Sequence, residues 1–197
     1  MIKPKYKLSY NSPVILTFAG ICLIFLIINM ITGDWFNRTF LVCYGHPSLL
    51  EPLTYVRPIL YIFGHVGVEH FSGNMIMLLL VGPVVEEKYG SWNTAVMILV
   101  TGVVSGILNS ILFSKGVIGA SGIVFLMIIL SAFTNMKRGE IPLTLILVSV
   151  IYLGKEVWTA VASPNDNISQ FGHIMGGLFG LGFGIYYHFK KFSNTYD

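Results

Sequence analysis

The chain has 197 residues, 54% of them hydrophobic and only 11% charged, with a formal net charge of +3 and a mean hydropathy of +0.75. An ordinary globular domain carries roughly 25% charged residues, so a water-soluble fold of this size is excluded. The positive charge is too small and too scattered for a nucleic-acid-binding surface.

The residues describe an all-α membrane protein in one domain spanning 1–197. A membrane span needs about 20 predominantly apolar residues. Six segments qualify, some of them short, at about 14–32, 68–85, 92–113, 121–136, 141–161 and 170–189. The first follows Lys3, Lys5 and Lys7, but it is long and no A-x-A cleavage site comes after it, so it reads as a retained span. Gly33-Asp34 ends it, and Glu86-Glu87-Lys88 ends the second. Lys115-Gly116 separates the third from the fourth, and Lys137-Arg138-Gly139-Glu140 the fourth from the fifth. Pro142 suits the first turn of the fifth, and Ser163-Pro164-Asn165-Asp166-Asn167 is a turn-rich loop before the sixth.

The outer loop 33–57 mixes Trp35, Phe36, Phe40, Tyr44 and Tyr55 with polar residues, a composition suited to the headgroup layer. Asn37-Arg38-Thr39 and Asn167-Ile168-Ser169 match the glycosylation sequon. Cys22 lies in an apolar run and Cys43 in this polar loop, which gives no disulfide framework. An even number of spans places both termini on one side. That side collects Lys3, Lys5, Lys7, Lys88, Lys137, Arg138, Lys190 and Lys191, eight residues, against four (Arg38, Arg57, Lys115 and Lys155) on the other. The positive-inside rule then puts both termini in the cytoplasm.

Polar side chains at membrane depth cost free energy and mark function. His70 and Asn74 in span 2, Ser121 at the start of span 4 and His173 in span 6 are such residues. Counted from helix ends at about 1.5 Å per residue, all four fall in one layer roughly 5–12 Å below the outer surface. The apolar stretch after Gly119-Ala120-Ser121-Gly122 runs about 14 residues, roughly 21 Å, too short to cross. Helix 4 should therefore begin inside the membrane, with its free N–H groups and positive dipole beside Ser121. Gly172, Gly176, Gly180 and Gly184 form a stripe along span 6 that admits a close neighbour. If that neighbour is span 4, His173 is delivered next to Ser121.

Each residue has a plainer reading. Ser121 alone is a small packing residue, His173 a histidine bonded to a carbonyl, and His70 with Asn74 polar glue on one helix face. Glu86-Glu87-Lys88 alone is a solvated helix end. Together, however, the four polar groups and the helix N-terminus suit nucleophilic catalysis. Histidine takes the serine proton, while Asn74, His70 and the Ser121 backbone N–H stabilise an oxyanion. No Asp or Glu is expected at that depth, so the arrangement is a Ser–His dyad, its imidazole oriented by stacking on Phe125. Neither a cofactor nor a metal is called for.

From Arg57 to Gly184 the chain resembles the rhomboid family of intramembrane serine proteases. The Gly-x-Ser-Gly motif stands as Gly119-Ala120-Ser121-Gly122 and the sixth-span pattern as His173 to Gly180. The second-span pattern stands as His70 and Asn74, with His65 before it; Arg57 matches the arginine of a Trp-Arg pair, and Glu86 with Gly90 the end of span 2. The resemblance implies a six-transmembrane-helix bundle with a short central helix 4, Ser121 as nucleophile, His173 as base and His70 with Asn74 as oxyanion donors. Phe125 and Arg57 would serve structure or gating, and Glu86 would be structural. Substrates would be single-pass transmembrane proteins within the lipid bilayer. Two positions depart from the pattern: Val56 stands where tryptophan is frequent and Phe125 where tyrosine is common.

Rival readings are a catalytically inactive rhomboid-like adaptor and a transporter, although the inverted repeats of many transporters are not seen. A zinc site fails because His65 and His70 are five apart, whereas a helical pair needs i, i+4. Span 5, with no glycine stripe and with Lys155-Glu156 near its outer end, is expected to pack loosely and, with the 162–169 loop, to act as a gate. Small size and the lack of organelle signals favour a bacterial plasma membrane, with the active site opening to the outer side.

Overall fold

The computed structural model describes residues 8–137, 140–162 and 170–193. Lys3, Lys5, Lys7, Arg138 and the 163–169 loop with the Asn167 sequon lie outside them. The described residues are helical, with seven α-helices: α1 Pro13–Ile31, α2 Arg57–Leu60, α3 Val68–Tyr89, α4 Ser91–Leu112, α5 Ser121–Ala132, α6 Leu143–Ala162 and α7 Gln170–Ser193. Among these residues, α1, α3 and α4 are long and apolar enough to cross a membrane. Helix α5 has 12 residues, about 18 Å, well short of a hydrocarbon core of about 30 Å. It ends at Ala132, not at 136, because Phe133 and its neighbours turn with i to i+3 hydrogen bonds.

Helix α3 does not stop at the charged cluster expected to end it. It continues to Tyr89 because Glu86 is buried and bonded, not a solvated helix end. Its carboxylate accepts the N–H groups of Val14 and Ile15, each at 3.0 Å, and the Ser91 hydroxyl at 2.7 Å. Ser12 stands at the N-cap of α1 without capping it, so Glu86 supplies the acceptor that the first turn lacks. One side chain thus ties the starts of α1 and α4 to the end of α3.

The 33–57 loop is more ordered and more buried than a polar connector in the headgroups would be. Asn37 lies in a π-helical turn, Asn37–Leu41, and donates from Nδ2 to the His65 carbonyl at 2.8 Å. It is 5% exposed, so the sequon is a buried structural asparagine instead of a surface acceptor. Cys43 is also buried, against the Ser110 hydroxyl, and both cysteines are free thiols. Burial pushes the Cys43 thiol above its ordinary range. The loop braces the segment leading into α5: Cys43 and Val117 exchange backbone hydrogen bonds at 3.0 and 2.9 Å, and His46 N–H reaches the Ser110 carbonyl at 2.8 Å. Arg57 closes the loop on itself. It donates to the Thr39 carbonyl, pairs with Glu51 at 2.8 Å and lies 5.0 Å from the Tyr44 ring centroid.

The expected close neighbour of the glycine stripe is α5. A Cβ on Gly176 would collide with the Gly122 carbonyl oxygen, and one on Gly122 would stand 3.0 Å from the Gly172 carbonyl oxygen. Further along, Gly180 meets Ile129 and Gly184 meets the Phe133 ring. The obstacle at Gly176 is backbone and has nowhere to yield. Gly176→Ala is therefore expected to destabilise the protein by about 3 kcal/mol or more, the upper end for overpacking. Gly20→Ala, which meets nothing within 4 Å, should leave the melting temperature unchanged or slightly raised. Thermal unfolding in detergent measures both, and equal effects would remove the special status of the contact.

His65, in the connection between α2 and α3, is fully buried. Burial, aided by the neighbouring His70, pushes its pKa down to about 4. The folded value lies below the ordinary histidine value near 6.5, so protonation favours the unfolded chain. The stability carried by neutral His65 is complete above about pH 6.5 and is lost as pH falls toward about 4, at roughly 1.4 kcal/mol per pH unit. Melting temperature should fall across this window, and His65→Gln should flatten the fall. An unchanged acid limb in the variant would assign it to another group.

Candidate active site

Ser121 opens α5 immediately after a turn that only glycine suits. Gly119 has φ +132, and a Cβ there would stand 2.7 Å from Cε1 of His70. Its N–H is held by the Tyr61 carbonyl at 2.9 Å. The N-cap residue is Ala120, with no capping side chain, and the first backbone bond into the helix is Val124 N–H to the Ala120 carbonyl at 2.9 Å. The N–H groups of Ser121, Gly122 and Ile123 are thus left without intrahelical acceptors, and the positive end of the helix faces outward beside the serine hydroxyl.

A cavity of about 560 Å³ opens there. Its walls include His70 and Asn74 from α3, Ser121 and Phe125 from α5, Tyr152 from α6 and His173 from α7. Residues from four helices separated by up to a hundred positions meet in one place. The His173 ring stacks on Phe125, with centroids 4.5 Å apart and planes 6° from parallel. Tyr152 meets the same Phe125 ring edge-on at 5.7 Å. His173 is 9% exposed. Among the described residues no hydrogen bond joins Ser121 to His173, the looser arrangement often found before substrate binds.

Asn74 Nδ2 is a buried donor without a partner. Such a group costs free energy unless something outside the protein satisfies it. His70 lies edge-on to His65, with centroids 5.1 Å apart, and His65 is in turn anchored through its Nδ1 to the Phe63 carbonyl at 3.3 Å. The cavity therefore offers a hydroxyl, an imidazole, an amide donor and an open helix N-terminus, a set suited to acyl transfer. Arg57 and Glu86 are not part of it; both act within the scaffold described above.

One expectation is corrected. A carboxylate does stand beside the imidazole: Glu156 of α6 is 8% exposed, and its Oε2 lies 2.9 Å from Nδ1 of His173. The oxygen sits off the ring N–H axis, so the two form a close contact and not an aligned hydrogen bond. A signal for it does exist in the spacing. Leu145, Ser149, Tyr152 and Glu156 recur at helical intervals of four, three and four, one face of α6. Lys155 falls off that face and is exposed. The adjacent Lys155 and the nearness of the helix end mask this pattern.

A rhomboid domain family model matches residues 52–190. The chain is 28% identical over 156 residues to the rhomboid protease GluP of Bacillus subtilis, covering 76% of this chain and 30% of that protein. It is 30% identical over 169 residues to the mouse rhomboid-related protein 2, covering 75% of this chain and 55% of that one. The human rhomboid-related protein 3 is 28% identical over 156 residues, covering 71% and 38% respectively. The chain thus spans between 30% and 55% of the length of these relatives. The family match includes α3, α5 and α7, the helices that carry Ser121, His173, His70 and Asn74, and the chain belongs to the rhomboid family.

Proposed function

We propose that this protein is an intramembrane serine endopeptidase that hydrolyses peptide bonds in or next to transmembrane segments of single-pass membrane proteins. The observation that carries the reading is the shared cavity. Ser121 at an uncapped helix N-terminus and His173 stacked on Phe125 line one wall, and the unpartnered Asn74 amide lies close by. The name of the Bacillus relative, a rhomboid protease, supports it.

In this reading Ser121 Oγ attacks the substrate carbonyl while His173 takes its proton, and His173 then donates that proton to the leaving amine. Asn74 Nδ2, His70 and the backbone N–H of Ser121 receive the oxyanion. The topology that goes with it has six spans, formed by α1, α3, α4, α5, α6 and α7, with α5 starting within the bilayer. Both termini lie in the cytoplasm and the cavity opens toward the outer side of a bacterial plasma membrane.

Labelling with a fluorescent fluorophosphonate tests the reading. The purified wild type should label, Ser121→Ala should stay dark, and His173→Ala should label at least 100-fold more slowly. Asn74→Ala should lower kcat on a transmembrane substrate by about 100-fold, the loss of one oxyanion donor. A folded wild type that neither labels nor cuts such substrates would hand the assignment to a membrane adaptor.

A further inference from the structure

We infer that Glu156 is the positioning residue for the catalytic base, making the site a Ser121–His173–Glu156 relay and not a dyad. The inference rests on the serine-protease reading above and adds a third member to it. Helix α6 turns most of its apolar side chains outward; Ile146, Leu147, Val150, Ile151, Val157 and Trp158 are all exposed. Glu156 is the charged residue of α6 that is buried among the described residues, and a carboxylate at that depth is costly unless paired. The group beside it is the His173 imidazole, 2.9 Å away.

Every element packed around His173 limits what else could fill this role. Helices α4 and α5 carry no Asp, Glu, Lys or Arg. Helix α3 presents His70, which carries no negative charge in either protonation state. On α6, Tyr152 lies against Phe125 and Lys155 points away. Glu156 alone among these can balance a positive charge arising on His173. With Nδ1 facing the carboxylate, Nε2 is the nitrogen left for Ser121.

The proton balance follows. As Ser121 Oγ bonds to the substrate carbonyl carbon, its proton passes to Nε2, and the resulting imidazolium keeps its Nδ1–H toward Glu156. When the C–N bond breaks, the Nε2 proton leaves with the amine. Water then repeats the cycle on the acyl-enzyme, and no proton is transferred to Glu156. The off-axis contact aligns by rotation of the carboxylate, an adjustment of the kind that accompanies substrate binding.

Glu156→Gln keeps the shape of the side chain and removes its charge. Full-length protein in detergent should show a fluorophosphonate labelling rate and a kcat both reduced at least tenfold, with KM within about twofold of wild type and an unchanged melting temperature. Glu156→Asp should fall between the two. In a His173→Ala background, Glu156→Gln should have no further effect on residual labelling, because it acts through the imidazole. Wild-type or faster labelling by Glu156→Gln would overturn the inference and leave Glu156 as a tether between α6 and α7. So would an equal loss in the His173→Ala background. If Glu156→Gln does not fold, Glu156→Asp decides: several-fold slower labelling at an unchanged melting temperature supports the relay, and an unchanged rate overturns it. A labelled wild type with an unaffected Glu156→Gln sinks this inference alone, whereas an unlabelled, inactive wild type sinks the protease reading with it.

Discussion

The contact of the α5 and α7 backbones at Gly122 and Gly176 is the constraint on which the site depends. Within a bilayer, helices gain little from hydrophobic association, and close packing of small residues becomes a principal source of cohesion. No side chain intervenes at this crossing, so the two helices have one possible register. Gly122 follows Ser121 directly, and Gly176 lies on the same face of α7 as His173, three residues on. Fixing the glycines fixes the hydroxyl and the imidazole relative to one another. Phe125, one turn along α5, then has the His173 ring laid on its face. Precise placement of the two groups is obtained from backbone geometry, with no hydrogen bond between them required beforehand.

The second support comes from outside the helices. A helix that begins partway through a bilayer is reached by irregular backbone, and unsatisfied backbone groups are costly in a lipid environment. The backbone before α5 is satisfied in the structure through the 33–57 loop, which pairs Cys43 with Val117, and through Tyr61, whose carbonyl takes the Gly119 N–H. The same loop is stiffened from within by Arg57 and Asn37. Its aromatic content suggests a surface role, yet its contribution to the cavity is to hold the approach to Ser121. Val56 is exposed, so the exchange of tryptophan for valine there leaves the bracing intact.

What is legible in the sequence is what periodicity and composition encode. The apolar runs locate the helices to within a few residues, the shortness of α5 is evident, and the glycine stripe points to the closest helix pair. Charged residues are harder. A carboxylate in Glu86-Glu87-Lys88 looks like a solvated end, and only the three-dimensional approach of α1 reveals that Glu86 caps it. Asn37 in a sequon looks exposed, and only its bond to the His65 carbonyl shows it buried. Glu156 is hidden for a related reason. Its place toward the C-terminal end of α6 suggests a solvated residue, but its angular position turns it inward and Lys155 outward. In each case the missing information is the identity of a partner distant in sequence, which no local pattern contains.

Glu156 also bears on how a substrate helix could reach the cavity. Apart from its inward stripe, α6 presents apolar side chains outward, and it lacks the glycine contacts that lock α5 to α7. Yet it carries the buried carboxylate that lies against His173, so wholesale departure of α6 would part the two. Breaking such a pair is strongly unfavourable. Admission of a substrate by movement of α6 therefore favours a tilt that preserves the Glu156 contact over a translation that breaks it. Leu153 packs against Gly177 close to this contact, which places a small-residue pivot where the tilt needs one. The contact between Glu156 and His173 would then set the limit on how far the wall can open.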